Sequence, residues 1–256
     1  MHKIAFKLSV PLLCAYLLAA CAADSQDPTR DWSAERFYNE GKAALNEKNY
    51  AQAIKHFETL EARYPYGAYS DQAQVEVAYA YYKDGEPASA IAAADRFIRL
   101  HPTHAHVDYA YYLKGLASMN DQDNVLSWLR GGSNLADRDP KGAREAYETF
   151  SELVARFPNS RYARDAAARM NQLVYALAQY EIGVARYYLE RGAYVAAANR
   201  AKHLVEHYQR TAAVEDALGI QAQAYGHLGM DKLKNDTLRV LEKNFPQSRY
   251  LRESKG

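Results

Sequence analysis

From Trp32 onward, apolar residues recur at intervals of three and four, and no stretch alternates polar with apolar as a half-buried strand would. Ala53, Phe57 and Leu60 form one such series, Ala90, Ala94 and Phe97 another, and Ala146, Phe150 and Leu153 a third. Each series is one face of a helix. Four amphipathic runs end at Arg63-Tyr64-Pro65, Leu100-His101-Pro102, Arg156-Phe157-Pro158 and Asn244-Phe245-Pro246. Proline lacks an N–H and pushes the preceding residue out of the helical region, so each one predicts a stop. The chain reads as all-α.

Reading back from each proline exposes a repeated unit. In the first, Gly41 sits in a helix, Lys48-Asn49-Tyr50 makes a turn, and Ala53, Phe57 and Leu60 precede Pro65. In the second, Ala78 replaces the glycine, Gly85-Glu86-Pro87 makes the turn, and Ala90, Ala94 and Phe97 follow. The third opens with Tyr111 and Gly115 and closes with Ala146, Phe150 and Leu153. The fourth has Ala185, Tyr188, a Gly192-Ala193-Tyr194 turn, then Ala197, Ala201 and Leu204, with Gln209 in the proline's place. The fifth has Ala222, Tyr225, a Gly229-Met230-Asp231 turn, then Leu238 and Leu241. These units resemble tetratricopeptide repeats, helix-turn-helix pairs in which small residues admit a neighbouring helix and a phenylalanine fills the next gap. The expected fold is an α-solenoid of about five such pairs.

Two departures modify that picture. A polar, turn-rich insertion at about 119–139 separates the helices of the third unit, and its Val125, Leu126, Trp128 and Leu129 could meet the solenoid or a partner. The run from Ser160 to Arg191 keeps helical period without a proline, which predicts an extra helix or one long helix bridging two halves. The division then falls into repeats one to three over 32–158, and a bridging helix with repeats four and five over 159–256.

The first twenty residues belong to something else. Lys3 and Lys7 precede a short apolar run from Leu8 to Leu18, too short for the ~20 residues that span a bilayer, so 1–20 reads as a removable signal peptide. Leu18-Ala19-Ala20-Cys21 resembles the lipobox of bacterial lipoproteins, which implies Cys21 as a lipidation site carrying diacylglycerol and an N-acyl chain, with 21–31 as a tether. Ala22, where an aspartate would favour inner-membrane retention, implies outer-membrane delivery. Cys14 leaves with the signal, so the mature domain has no thiol for a disulfide, metal or nucleophile.

Charge adds an exclusion. The net +1 becomes −1 when Lys3 and Lys7 are removed, which gives no electrostatic case for nucleic acid. Tyrosine outnumbers phenylalanine 22 to 7, and its large amphipathic ring suits contact with polypeptides. Chemistry is sparse. His101, His104 and His106 fit no metal-ligand pattern and show no evident acidic partner, Gly131-Gly132 lacks the Gly-Lys-Ser/Thr of a phosphate loop, and no serine lies in a G-x-S-x-G context. Acidic residues read as solvated helix faces. No catalytic residue, cofactor or metal is expected.

Longer strings point further. Phe37-Tyr38-Asn39-Glu40-Gly41, Leu60-Glu61-Ala62-Arg63-Tyr64-Pro65, Tyr109 through Leu116, Asp137-Arg138-Asp139-Pro140, and Val184-Ala185-Arg186-Tyr187-Tyr188 through Ala196-Ala197-Ala198-Asn199-Arg200 resemble the BamD (ComL) lipoprotein family of the outer-membrane β-barrel assembly machinery. The resemblance implies a non-catalytic scaffold of the Bam complex, lipid-anchored at the periplasmic face of the outer membrane. Its implied partners are BamA, the other Bam lipoproteins and unfolded outer-membrane β-barrel proteins, with clients on the N-terminal half and BamA on the C-terminal half. A repeat lipoprotein that coordinates cell-wall synthesis or binds peptidoglycan would share the anchor and the solenoid, and stands as the alternative.

In this repeat the first helix of each pair lines the groove. That places Tyr38, Lys42 and Asn46 in it from unit one, Tyr79, Tyr82 and Lys83 from unit two, and Tyr109, Tyr112 and Leu116 from unit three. An aromatic trough with Lys42 or Lys83 as counter-ion suits a chain terminus ending in an aromatic residue and a carboxylate. For BamA the expected contact is Arg200, with Arg186 and Arg191 as lesser candidates, because an exposed guanidinium can grip a carboxylate through two hydrogen bonds.

Overall fold

The computed structural model describes residues 27–120 and 140–253, apart from the side chain of Asn120. The expected signal peptide, Cys21 and the 121–139 segment with Val125, Leu126, Trp128 and Leu129 lie outside the described residues. Among the described residues all regular structure is helical. In order, the helices are α1 (Ala34–Asn46), α2 (Tyr50–Arg63), α3 (Ala68–Asp84), α4 (Pro87–Leu100), α5 (Val107–Asn120) and α6 (Lys141–Arg156). They continue as α7 (Ala163–Glu190), α8 (Tyr194–His207), α9 (Ala213–His227), α10 (Asp231–Asn244) and the short α11 (Arg249–Glu253).

The prolines act as their chemistry requires. Tyr64, His101, Phe157 and Phe245, each just before a proline, leave the helix at φ between −128° and −138° and ψ between 55° and 69°. Tyr208, followed by Gln209, ends α8 in nearly the same way at φ −122° and ψ 36°. Within pairs, Gly85, Gly192 and Gly229 take left-handed φ of 81°, 74° and 67°, and the residue immediately after each closes the turn. Glu86, Ala193 and Met230 donate their backbone N–H to Tyr81, Tyr188 and Tyr225 at 2.9–3.0 Å, the bond that satisfies an end carbonyl of a helix. Unit one makes the same bond from Asn49 to Ala44 at 2.9 Å, but with Lys48 in the left-handed position at φ 61°. A side chain there carries strain of roughly 1–2 kcal/mol.

Packing follows the small-large logic of the repeat. A Cβ built at Gly41 would stand 2.6 Å from the Phe57 ring, at Gly115 2.4 Å from Phe150, and at Gly219 2.2 Å from Tyr250. Phe57, Phe97 and Phe150 are fully buried, each stabilising the stack by about 1.5–3 kcal/mol. The first helices form an inner layer in which α1 meets α3, α3 meets α5, and α7 meets α9. Between α5 and α7 the backbones approach less closely. The helical run from Ser160 resolves as one helix: α7 has 28 residues. Ala166, Leu173 and Leu177 join the core of unit three, while Ala178, Ile182 and Ala185 join that of unit four. A single rod thus ends one half and begins the other.

Candidate functional site

The tyrosines expected in the groove do gather on the inner layer, but unequally. Tyr38 on α1 leans on Phe57 at 6.0 Å and on Tyr69 at 5.6 Å between ring centroids. Lys42, one turn on, donates to Glu76 of α3 at 2.6 Å, so its charge is already neutralised within the fold. Asn46 and Lys83 are exposed, and Lys83 makes no ion pair among the described residues. Tyr79 and Tyr82 are half-buried against the N-terminal core, and Leu116 against the central one.

The densest aromatic feature spans the gap between α5 and α7. Tyr109 and Tyr112 both stack on Tyr162, at 5.1 Å and 4.8 Å with interplanar angles of 25° and 20°. Three rings fill the space that the backbones leave open. The Tyr112 hydroxyl donates to Asp165 at 2.6 Å, and Arg169 Nε donates to the same carboxylate at 2.5 Å. Burial alone would raise the Asp165 carboxyl, but those two hydrogen bonds and the Arg169 charge outweigh it and hold it below the usual range. Burial drives the Tyr109 phenol well up, and burial then the bond to Asp165 raise Tyr112, so both stay neutral donors at physiological pH. Arg161 lies 4.7 Å over Tyr162 and has no carboxylate within ion-pair distance among the described residues.

Tyr162 was not expected in the groove. A signal for it exists in the repeat itself. Tyr69, Tyr162 and Tyr250 each stand four residues after a repeat proline. Each packs back on the preceding unit's first helix, against Tyr38, against Tyr109 and Tyr112, and over Gly219.

The three arginines of the C-terminal half point in different directions. Arg200 of α8 is half-buried and donates to Glu181 of α7 at 3.0 Å. Glu181 is only 2% exposed, so not every acidic residue lies on a solvated face, and Arg144 of α6 approaches its other oxygen at 3.9 Å. The expected free guanidinium at 200 is therefore partly committed to holding a buried carboxylate. Arg186 reaches Asp216 of α9 at 3.9 Å, and Arg191 at the end of α7 lies 5.0 Å over Tyr187. Positions 181 and 186 are about 140° apart on the helix, so Arg200 and Arg186 serve different sides of α7. Beside Glu181 a cleft of about 230 Å³ opens between Arg144, Tyr147, Leu177, His207 and Tyr208.

The histidine turn also gains a partner that the sequence did not suggest. Asp71 of α3 lies 3.8 Å from His101 Nε2, and the rings of His101, His104 and His106 follow one another at 6.2 and 5.5 Å. Among the described residues no group of three or more histidine, cysteine or acidic side chains could hold a metal, and no helix is long and apolar enough to cross a membrane.

A family model described as YfiO, outer membrane lipoprotein, matches residues 30–241. The outer membrane protein assembly factor BamD of Neisseria meningitidis serogroup B is 49% identical, covering 99% of this chain and 95% of its own. Its namesake in Xylella fastidiosa is 39% identical over 96% of this chain and 84% of its own, and that of Vibrio cholerae 38% over 91% and 96%. With five stacked helix pairs among the described residues and a match along nearly its whole length, the chain belongs to the YfiO family of outer membrane lipoproteins.

Proposed function

We propose that this chain is a non-catalytic scaffold of outer-membrane β-barrel assembly, held at the periplasmic face through acyl chains on Cys21. Its N-terminal units receive unfolded barrel proteins along the inner layer, and its C-terminal units contact BamA. The observation that carries the client assignment is the Tyr109-Tyr162-Tyr112 stack, a run of three rings bridging α5 and α7. An extended strand with alternate aromatic side chains can lay them on such rings. Lys42 is engaged by Glu76, which leaves Lys83 and Arg161 as the cations open to a terminal carboxylate. Arg200 remains the C-terminal candidate for BamA, its side chain about one third exposed beside the Glu181 pair.

Fluorescence anisotropy with a labelled C-terminal peptide of a barrel protein tests this. Each of Tyr79→Ala, Tyr112→Ala and Tyr162→Ala should weaken binding about two- to tenfold, the value of one aromatic contact beyond its buried area. Affinity unchanged in all three, with helicity intact by circular dichroism, would remove clients from the inner layer.

A further inference from the structure

The turn between α2 and α3 runs Tyr64-Pro65-Tyr66-Gly67-Ala68-Tyr69 without a charge. Tyr66 is 91% exposed, the most exposed large apolar side chain of the described residues, with Tyr64 and Tyr69 exposed beside it. An aromatic so placed packs against little among the described residues. The incoming tether tells what lies near it. Arg63 Nη1 donates to the Thr29 carbonyl at 2.6 Å and its other nitrogen pairs with Asp27, while Tyr64 Oη donates to the Trp32 carbonyl at 2.7 Å. Asp27 accepts from Thr29 N and Oγ1 at 2.9 and 2.7 Å, which closes the chain into a turn. Residues 27–32 are thus clamped to the end of α2, directly beside the tyrosine turn.

From Asp27 back to Cys21 there are six residue steps, which reach about 22 Å at full extension. On the reading that Cys21 is acylated, the clamp cannot leave the bilayer surface by more than that. We propose that the 64–69 turn is a second membrane contact, with Tyr66 and Tyr69 seated among lipid headgroups so that the first repeat lies against the outer membrane's inner leaflet. The chemistry fits the interface: a tyrosine ring buries its apolar body at headgroup level and keeps its hydroxyl wet. The Arg63 charge, the nearest to the turn, is neutralised by Asp27, so no bare cation or carboxylate on the turn has to be desolvated. Arg30 and Asp31 are both exposed within the clamped segment, so it brings no net charge to the headgroups. Because Tyr69 also touches Tyr38, the turn continues into the inner aromatic layer, and this contact would set the mouth of that layer at the membrane.

The inference rests on the lipid-anchor reading, and the test separates the two. The mature acylated chain has no free thiol, so Gln72→Cys, exposed one turn beyond Tyr69, takes a single environment-sensitive fluorophore. Glu242→Cys on α10 provides the distant control. In vesicles of phosphatidylethanolamine and phosphatidylglycerol containing headgroup spin-labelled lipid, the probe at 72 should be strongly quenched and that at 242 should not. Tyr66→Ser with Tyr69→Ser should abolish most of the quenching at 72 while the protein still floats with the vesicles. Flotation with no quenching at 72, or quenching unaffected by the double substitution, refutes the tyrosine contact and leaves the anchor standing. Failure to float removes the anchor and the contact with it.

Discussion

Gly115 and Gly226 both lie inside helices of the inner layer, yet alanine should have opposite effects at the two. At Gly115 the new Cβ would stand 2.4, 2.7 and 2.7 Å from three atoms of the Phe150 ring, where ordinary contact begins near 3.4 Å. The ring would have to retreat by about 1 Å, and it is fully buried with Tyr112 packed 6.1 Å from it. Overpacking of this kind costs about 1–3 kcal/mol. Replacing glycine by alanine in a helix contributes about 1 kcal/mol the other way. With three ring atoms within 2.7 Å the overpacking falls in the upper half of that range, so the clash wins by about 1–2 kcal/mol. At Gly226 the nearest atom is Lys234 Cδ at 3.5 Å, on a flexible side chain. No clash opposes the helix term there, so Gly226→Ala should gain about 0.5–1 kcal/mol. Urea unfolding followed by circular dichroism at the helical band reads both. Because Phe150 supports Tyr112, Gly115→Ala should also weaken client-peptide binding, whereas Gly226→Ala should not. A Gly115→Ala protein as stable as wild type, or a shift of the same sign at both sites, would refute the close-approach reading of the repeat.

Lys48→Gly should raise stability by about 1 kcal/mol by relieving the only left-handed non-glycine residue among the described ones, measurable as a higher urea midpoint; no gain would mean the turn is unstrained. Arg200→Glu would set a second carboxylate against buried Glu181 and should cost about 3–5 kcal/mol. Adding Glu181→Gln should recover much of that loss. BamA capture still missing from the recovered double variant assigns Arg200 to the partner, and restored capture assigns it to internal pairing. His56 and His104 are held below the free imidazole value, chiefly by burial, then by Lys55 for His56 and by His106 and His101 for His104, against the opposing pull of Glu40 and Asp71. The unfolded chain therefore takes up protons first, and stability present above about pH 6.5 should fall as pH drops through the folded values. Imidazole proton shifts in a nuclear magnetic resonance titration that move at or above pH 6.5 would contradict this.

The repeat was legible because it is written in local chemistry. A residue before proline cannot stay helical, and a glycine or alanine at one helix position with a phenylalanine at another leaves one way for two helices to meet. Pro65, Gly41 and Phe57 therefore mark the first unit in the sequence itself, and the other units follow in register. Tyr38, Tyr109 and Tyr112 could be put on the inner layer for the same reason, since helical period alone decides which face a residue shares.

What the sequence left open is who meets whom across units. Lys42 and Glu76 lie 34 positions apart, and Arg200 and Glu181 lie 19 apart. Period places each on a face, but only the angle and spacing between stacked helices decide whether opposite charges touch. The same holds for Tyr162, whose role exists because α5 and α7 stand apart and need rings between them, and for the 27–32 tether, whose clamp on Arg63 and Tyr64 has no local signature. Local conformational chemistry determined the helices and their faces; the rigid-body stacking of those helices, set by packing summed over distant residues, decided which charges are spent and which rings remain.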